Sequence, residues 1–194
     1  MGRTSRSTRE RLFAAAAELI GEHGFHGTTV DDIVERAGVA KGTVYYHFHS
    51  KDQLLDELLV DHLTRMGESF RAAADSAETA TAGLRLLVRT ELDYIHRYQA
   101  ASKLLMSELW RADRTWRDSL TMLRDRYVLV IREVLDAGVA SGEFRADLDT
   151  PLAASAIFGT VATAALDWLV FDPDRDVESV ASGVEGLVLH GTLT

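Results

Sequence analysis

The chain has 194 residues, 46% of them hydrophobic and 26% charged, with two prolines and no cysteine. That length and apolar content suit one sizeable core, or a small module on a larger one, and exclude a disordered chain. The missing cysteines exclude disulfides, thiolate metal sites and a cysteine nucleophile. The net charge of −9 is uneven: residues 1–51 carry +1 (seven Lys/Arg, six Asp/Glu) and residues 52–194 carry −10 (fourteen against twenty-four). Only the N-terminal end is therefore suited to face a phosphate backbone.

Residues 1–8 read as a basic arm with Arg3 and Arg6, and no secretory signal follows them. From Arg9 a helix is predicted with Leu12, Ala16, Leu19, Ile20 and His23 on one face, ending at Gly24. Thr29 and Asp32 form a capping-box pattern for a second helix that buries Val30, Ile33, Val34 and Ala37. Gly38 supplies the turn, and Ala40 to His47 makes a third short helix anchored by Val44.

Ser50 and Gln53 mark the start of a long fourth helix with Leu55, Leu58, Leu59, His62, Met66 and Phe70 at helical spacing. A small polar connection over 75–82 precedes a stripe of Leu84, Leu87, Val88, Glu91, Ile95 and Tyr98. Then come a shorter segment with Leu104, Leu105, Met106, Leu109 and Trp110, and a stripe of Trp116, Leu120, Leu123, Tyr127, Val130, Ile131 and Val134 ending near Gly138 or Gly142. Thr150 as cap and Pro151 at the first position open a helix to about Phe171, and Val177, Val180, Val184, Leu187 and Val188 form the last stripe. The apolar run from Leu152 to Phe171 is broken by Ser155, Thr160, Thr163 and Asp167, which suits a buried helix better than a membrane span. No strand alternation occurs. The expectation is an all-α chain of about nine helices, soluble and cytoplasmic. An N-terminal three-helix helix-turn-helix domain (1–48) precedes a larger helical-bundle domain for ligand binding and dimerisation (49–194).

Thr28 to Lys51 carries the chemistry. Lys41 stands at the start of the third helix, Gly42 permits close backbone approach, and Thr43 offers a hydroxyl and a methyl to base edges. Tyr45, Tyr46 and His47 add polar-tipped rings over the next turn, and Lys51 is placed to clamp a flanking phosphate. The pattern Thr28-Thr29-Val30-Asp31-Asp32-Ile33, Ala37-Gly38-Val39, Lys41 to Phe48 and Lys51 resembles the DNA-binding domain of the TetR family of transcriptional regulators. The likeness covers roughly the first quarter of the chain; the remaining three quarters are similar in architecture only.

The resemblance implies a homodimer on a palindromic operator of double-stranded DNA and a helical body that binds a small organic effector and releases the DNA. It implies phosphate contacts at Thr28, Tyr46, His47 and Lys51, and base or groove contacts at Lys41, Gly42, Thr43 and Tyr45. Two residues depart from the family pattern. Ala40 replaces the usual serine and leaves the recognition helix without a side-chain cap, and Val34 replaces the usual alanine.

His62, Met66, Phe70, Glu91, Tyr94, Tyr98, Met106, Trp110, Trp116, Tyr127 and Phe158 are the candidate lining of a hydrophobic or aromatic effector pocket, though each alone suits an ordinary core position. Glu91 needs either a polar group of the effector or an arginine such as Arg89, Arg97 or Arg126. Ala153, Ala156, Gly159, Thr160 and Thr163 permit close helix approach, and Val177, Val180, Val184 and Leu187 supply an apolar seam for a dimer interface. His47 and His49 lack a third ligand, so neither a metal site nor a cofactor is expected. With no phosphate-binding glycine loop or nucleophile elbow, an enzyme is not expected. A repressor, and an activator or architectural DNA-binding protein without an effector, remain the alternatives.

Overall fold

The computed structural model describes residues 7–109, 121 and 124–193. Trp110, Trp116, Leu120 and Leu123, and the arm with Arg3 and Arg6, lie outside the described residues. The order is α1 (Thr8–Gly27), α2 (Val30–Ala37), α3 (Lys41–His47), α4 (Lys51–Asp75), α5 (Ala80–Arg97) and α6 (Gln99–Leu109). A π-helical turn (Arg124–Val128) then runs into α7 (Leu129–Ser141), followed by α8 (Thr150–Phe171) and α9 (Val177–Thr192). The chain is all-α; among the described residues the sole β pairing is an isolated bridge between Phe144 and Leu193.

Two compact units divide the chain. The first holds α1–α3, α4 as far as His62, and α6; the second holds α4 from Leu63 onward, α5, the π-helical turn and α7–α9. In the first unit α1 packs on α2 and α6, and α2 on α3. Leu12, Phe13, Ala16, Ile20, Ile33, Val44 and Phe48 are buried there, and the Phe13 and Phe48 rings lie 5.8 Å apart. Local chemistry sets the helix ends. Ser7 and Glu10 exchange hydrogen bonds at the start of α1, and Thr29 and Asp32 do the same at α2. Gly38, at φ 61°, takes the left-handed conformation that turns α2 toward α3. Gly24 also has positive φ (75°), but it bends α1 within its span instead of ending it.

In the second unit α5 packs on α7, α8 and α9, α7 on α8, and α8 on α9. Phe144 folds back so closely that a Cβ on Gly138 would lie 2.1 Å from its ring, a contact that requires glycine. The Glu143 carboxylate accepts hydrogen bonds from the Ala80 and Thr81 amides at 3.1 and 2.9 Å, closing the exposed N–H groups of α5. Those amides hold its pKa down at about 2. At α8 the cap is Asp149, which accepts from the Leu152 amide at 3.1 Å. Thr150, expected to be that cap, is already helical and bonds Asp136 instead.

By length and composition α8 is the one helix among the described residues long and apolar enough to cross a membrane. Its inner face, including Ala154, Ile157, Phe158, Val161, Ala162 and Ala165, is buried within the unit. Its outward face follows a four-three spacing through Leu152, Ala156, Gly159, Thr163, Leu166 and Val170, with Leu152 66% and Val170 55% exposed. On α9 the outward positions include Gly183 and Leu187, the latter 67% exposed. Val180 and Val184 are buried at 6% and 7% exposure in the core of their own subunit, with Val177 half-buried. The structure therefore corrects the expected apolar seam. These valines lie on the inward side of α9, while Leu187, Ala156, Gly159 and Thr163 point outward.

Candidate DNA-binding surface and ligand site

The first unit sorts the aromatic run of α3 into two faces. Val44 and Phe48 are buried at 2% exposure each, whereas Tyr45 and Tyr46 stand 54% and 83% exposed. His47 is exposed beside Tyr46, with ring centroids 5.2 Å apart. A Cβ on Gly42 would meet nothing within 4 Å, so the backbone at the start of α3 is open to close approach by a ligand. Thr43 is half-buried. Burying so much ring surface on a partner is favourable, and the polar tips can also bond to phosphate or base edges.

Positive charge on this face is partly engaged. Lys41 makes an exposed ion pair with Asp31, Nζ to Oδ2 at 2.7 Å, and this contact raises the lysine pKa. Lys51 is half-buried, donating to the Thr28 carbonyl at 2.7 Å and to the Phe25 carbonyl, with its ammonium 4.1 Å from the Phe25 ring centroid. It thus ties the start of α4 to the end of α1. Thr28 is also turned inward: at 1% exposure its hydroxyl donates to the carbonyls of Leu19 and Gly24 at 3.1 and 3.0 Å. These two residues brace the surface, and the Thr28 hydroxyl is not presented to a phosphate.

Arg11, given no role by sequence reasoning, is a second brace. Its guanidinium donates to the Ala37 carbonyl at 3.0 and 2.6 Å and to the Gly38 carbonyl at 2.6 Å. It satisfies the open carbonyls at the end of α2 and fixes the turn before α3. Only its basic character near the start of a helix hinted at this; the 26-residue separation is a tertiary fact. As the sequence foretold, Ala40 at the α3 N-cap supplies no side-chain hydrogen bond.

The candidate pocket residues divide between the units. In the first unit His62 is buried, with Ser102 Oγ 3.4 Å from its Nε2, and Met106 is half-buried on α6. Burial lowers the His62 pKa to about 4, so the imidazole is neutral at neutral pH. In the second unit Met66, Phe70, Tyr94, Tyr127 and Phe158 are buried. Phe70 meets the edge of Tyr127 at 5.4 Å between centroids, and Tyr127 stacks on Phe158 at 5.8 Å. Tyr98, 36% exposed, pairs with Tyr94 at 4.7 Å.

Tyr127 also engages the backbone of α4. Its hydroxyl donates to the Leu63 carbonyl. The close approach of the π-helical turn depends on Gly67, where a Cβ would lie 3.1 Å from that of Arg126. Tyr127 is thus tied directly to the backbone of α4.

Glu91 is 1% exposed and its Oε1 has no hydrogen-bond partner. Burial raises its pKa well above the usual carboxylate range, so it carries a proton. The arginine partner entertained from sequence is not formed. Arg89 is held by Glu178, at 2.6 and 2.8 Å, and by Glu185.

Two family descriptions match the chain: bacterial regulatory proteins of the tetR family over residues 12–58, and the tetracyclin repressor-like C-terminal domain over 77–192. The HTH-type transcriptional repressor KstR2 of Rhodococcus jostii is 32% identical over 184 residues, covering 94% of this chain and 90% of that protein. The structure of the fatty acid degradation regulator FadR from Bacillus halodurans superposes with a TM-score of 0.84 at 27% identity, covering 97% of this chain and 98% of that one. FadR from Bacillus subtilis, crystallised in complex with stearoyl-CoA, superposes with a TM-score of 0.81 at 26% identity, covering 93% and 97%.

Proposed function

This chain belongs to the tetR family of bacterial regulatory proteins, and from that premise we propose how its parts divide the work of a DNA-binding transcriptional repressor. The observation that carries the reading is the outward set on α3: open Gly42 beside exposed Tyr45, Tyr46 and His47, with Val44 and Phe48 holding the helix from below. Lys41, Thr43, Tyr45 and the Gly42 backbone address the major groove, Tyr46 and His47 the flanking phosphates, and Arg11, Thr28 and Lys51 keep the surface in shape. Residues 1–48 are the DNA-binding part, and residues 49–194 sense the effector and dimerise.

The working form is a homodimer on a palindromic operator, since one seven-residue recognition helix offers few base contacts. The outward stripes of α8 and α9, meeting their copies across a two-fold axis, form the interface. The protein works in the cytoplasm, where operator DNA is found.

The effector is a long-chain acyl-CoA. The stearoyl-CoA complex of the Bacillus subtilis relative supports this class, as does the aromatic and methionine interior around Tyr127. The reading is tested by fluorescence anisotropy on a labelled operator at fixed salt, with stearoyl-CoA as titrant. Release of the operator, with a higher melting temperature for the protein alone, is the expected result. Operator binding that is indifferent to saturating acyl-CoA would leave a regulator with a different effector or none.

A further inference from the structure

An acid in the middle of α5 contributes nothing to the packing that a leucine would not supply better. Glu91 destabilises the folded chain, because its Oε1 is removed from water and given no partner. Its buried neighbours along α5 are Leu84, Leu87, Val88, Leu92, Tyr94 and Ile95, and it lies near enough to Tyr127 for the two groups to interact electrostatically. Arg89 is held by Glu178 and Glu185, so no cation from that side of α5 neutralises it. A carboxyl group so placed is protonated, and a protonated carboxyl is a hydrogen-bond donor.

We propose that Glu91 is the polar hook of the ligand site, donating its O–H to the neutral carbonyl of the acyl thioester while Phe70, Tyr127 and Phe158 enclose the adjoining hydrocarbon. The assignment rests on the acyl-CoA reading above and adds the part of the ligand that is recognised. A thioester C=O is an uncharged acceptor, matched to a donor in an apolar surrounding. A free fatty acid would have to bring an ionised carboxylate into the same apolar surroundings, a desolvation cost the neutral carbonyl does not carry, and is disfavoured. Tyr127 then links occupancy to α4, because the ring that touches the ligand also holds the Leu63 carbonyl.

The test compares palmitoyl-CoA with its thioether analogue, hexadecyl-CoA, which keeps chain and nucleotide but lacks the carbonyl. Binding by calorimetry and operator release by anisotropy are measured on the full chain and on Glu91→Leu and Glu91→Gln. In the unaltered protein the thioester should bind about tenfold more tightly than the thioether. Glu91→Leu should abolish that preference and melt at a higher temperature than the parent. Glu91→Gln, which retains an N–H donor, should restore most of the preference and guards against a packing artefact in the leucine variant. Equal, measurable binding of thioester and thioether to the parent overturns the Glu91 assignment alone. Failure of both ligands to bind the parent overturns the acyl-CoA reading and this assignment with it.

Discussion

Leu187 and Val184 are three residues apart on α9, about 60° round the helix, yet fall on either side of the boundary between core and surface, which allows a paired test of the dimer interface. Leu187 is 67% exposed in one protomer and Val184 only 7%. If Leu187 lies in a two-fold interface, each dimer buries two copies. Burying a leucine side chain is worth about 1.5–3 kcal/mol, so losing both weakens the dimer by roughly 3–6 kcal/mol, or about 10²- to 10⁴-fold in Kd. Leu187→Glu should therefore give folded monomers in sedimentation velocity at concentrations where the parent is dimeric, with an unchanged circular dichroism spectrum and weakened operator binding. Val184→Glu places an unpaired charge inside the protomer, a change of the order of 3–5 kcal/mol against folding. It should lose the cooperative melt before it loses the dimer. Leu187→Glu dimers as tight as the parent's, or Val184→Glu as a well-folded monomer, would refute the inward and outward assignment of α9.

The first unit yields further tests. Ala40→Ser gives α3 the side-chain cap it lacks and should stabilise the chain by about 1 kcal/mol, a melting shift of about 2–4 °C; an unchanged melt would mean the open amides of α3 gain nothing from a cap. Lys41→Ala should lower the slope of log affinity against log salt by less than the value of about 1 expected for a free phosphate-bound lysine, because Asp31 already pairs its ammonium. Lys51→Ala should instead lower the melting temperature and leave that slope within error, and a reduced slope would show its ammonium on phosphate. For His62 the folded pKa of about 4 lies below the free value of 6.5. The unfolded chain therefore takes up the proton first as pH falls. Stability is full above about 6.5 and declines toward pH 4, by roughly 3 kcal/mol over that window. Urea unfolding at pH 7.5 and 5 should show about 2 kcal/mol of this loss in the parent and not in His62→Gln; equal losses in the two would place the proton elsewhere.

The helix-turn-helix was legible because its determinants are local. Thr29 with Asp32, Gly38, and Val44 set between outward tyrosines each act over one or two turns, and spacing alone reveals them. The outward face of α9 was not, because that helix carries apolar residues on two faces. Periodicity finds Val180, Val184 and Val188, but it cannot tell a protomer's own core from a partner's surface. The outward spacing of Leu152, Ala156, Gly159, Thr163, Leu166 and Val170 was there to be read, hidden by a helix apolar nearly all round. Long-range polar contacts left no local trace: Arg11 closing α2, Tyr127 on the backbone of α4, and the missing partner of Glu91. Thr28 misled for a related reason, since a threonine beside a helix start can serve the previous helix as readily as a ligand.

The ion pair of Lys41 with Asp31 bears on how the protein finds its site. A lysine already matched by its own carboxylate gains little from an arbitrary phosphate, because one neutralised contact replaces another and few counterions are released. The net charge of −9 on the chain works against unspecific chromosomal DNA in the same direction. The exchange becomes favourable where Tyr45, Tyr46 and the Gly42 backbone also find their partners. Asp31 thus sets a threshold: a site that offers only phosphate does not make up for the ion pair it breaks, whereas the operator does so through its added contacts.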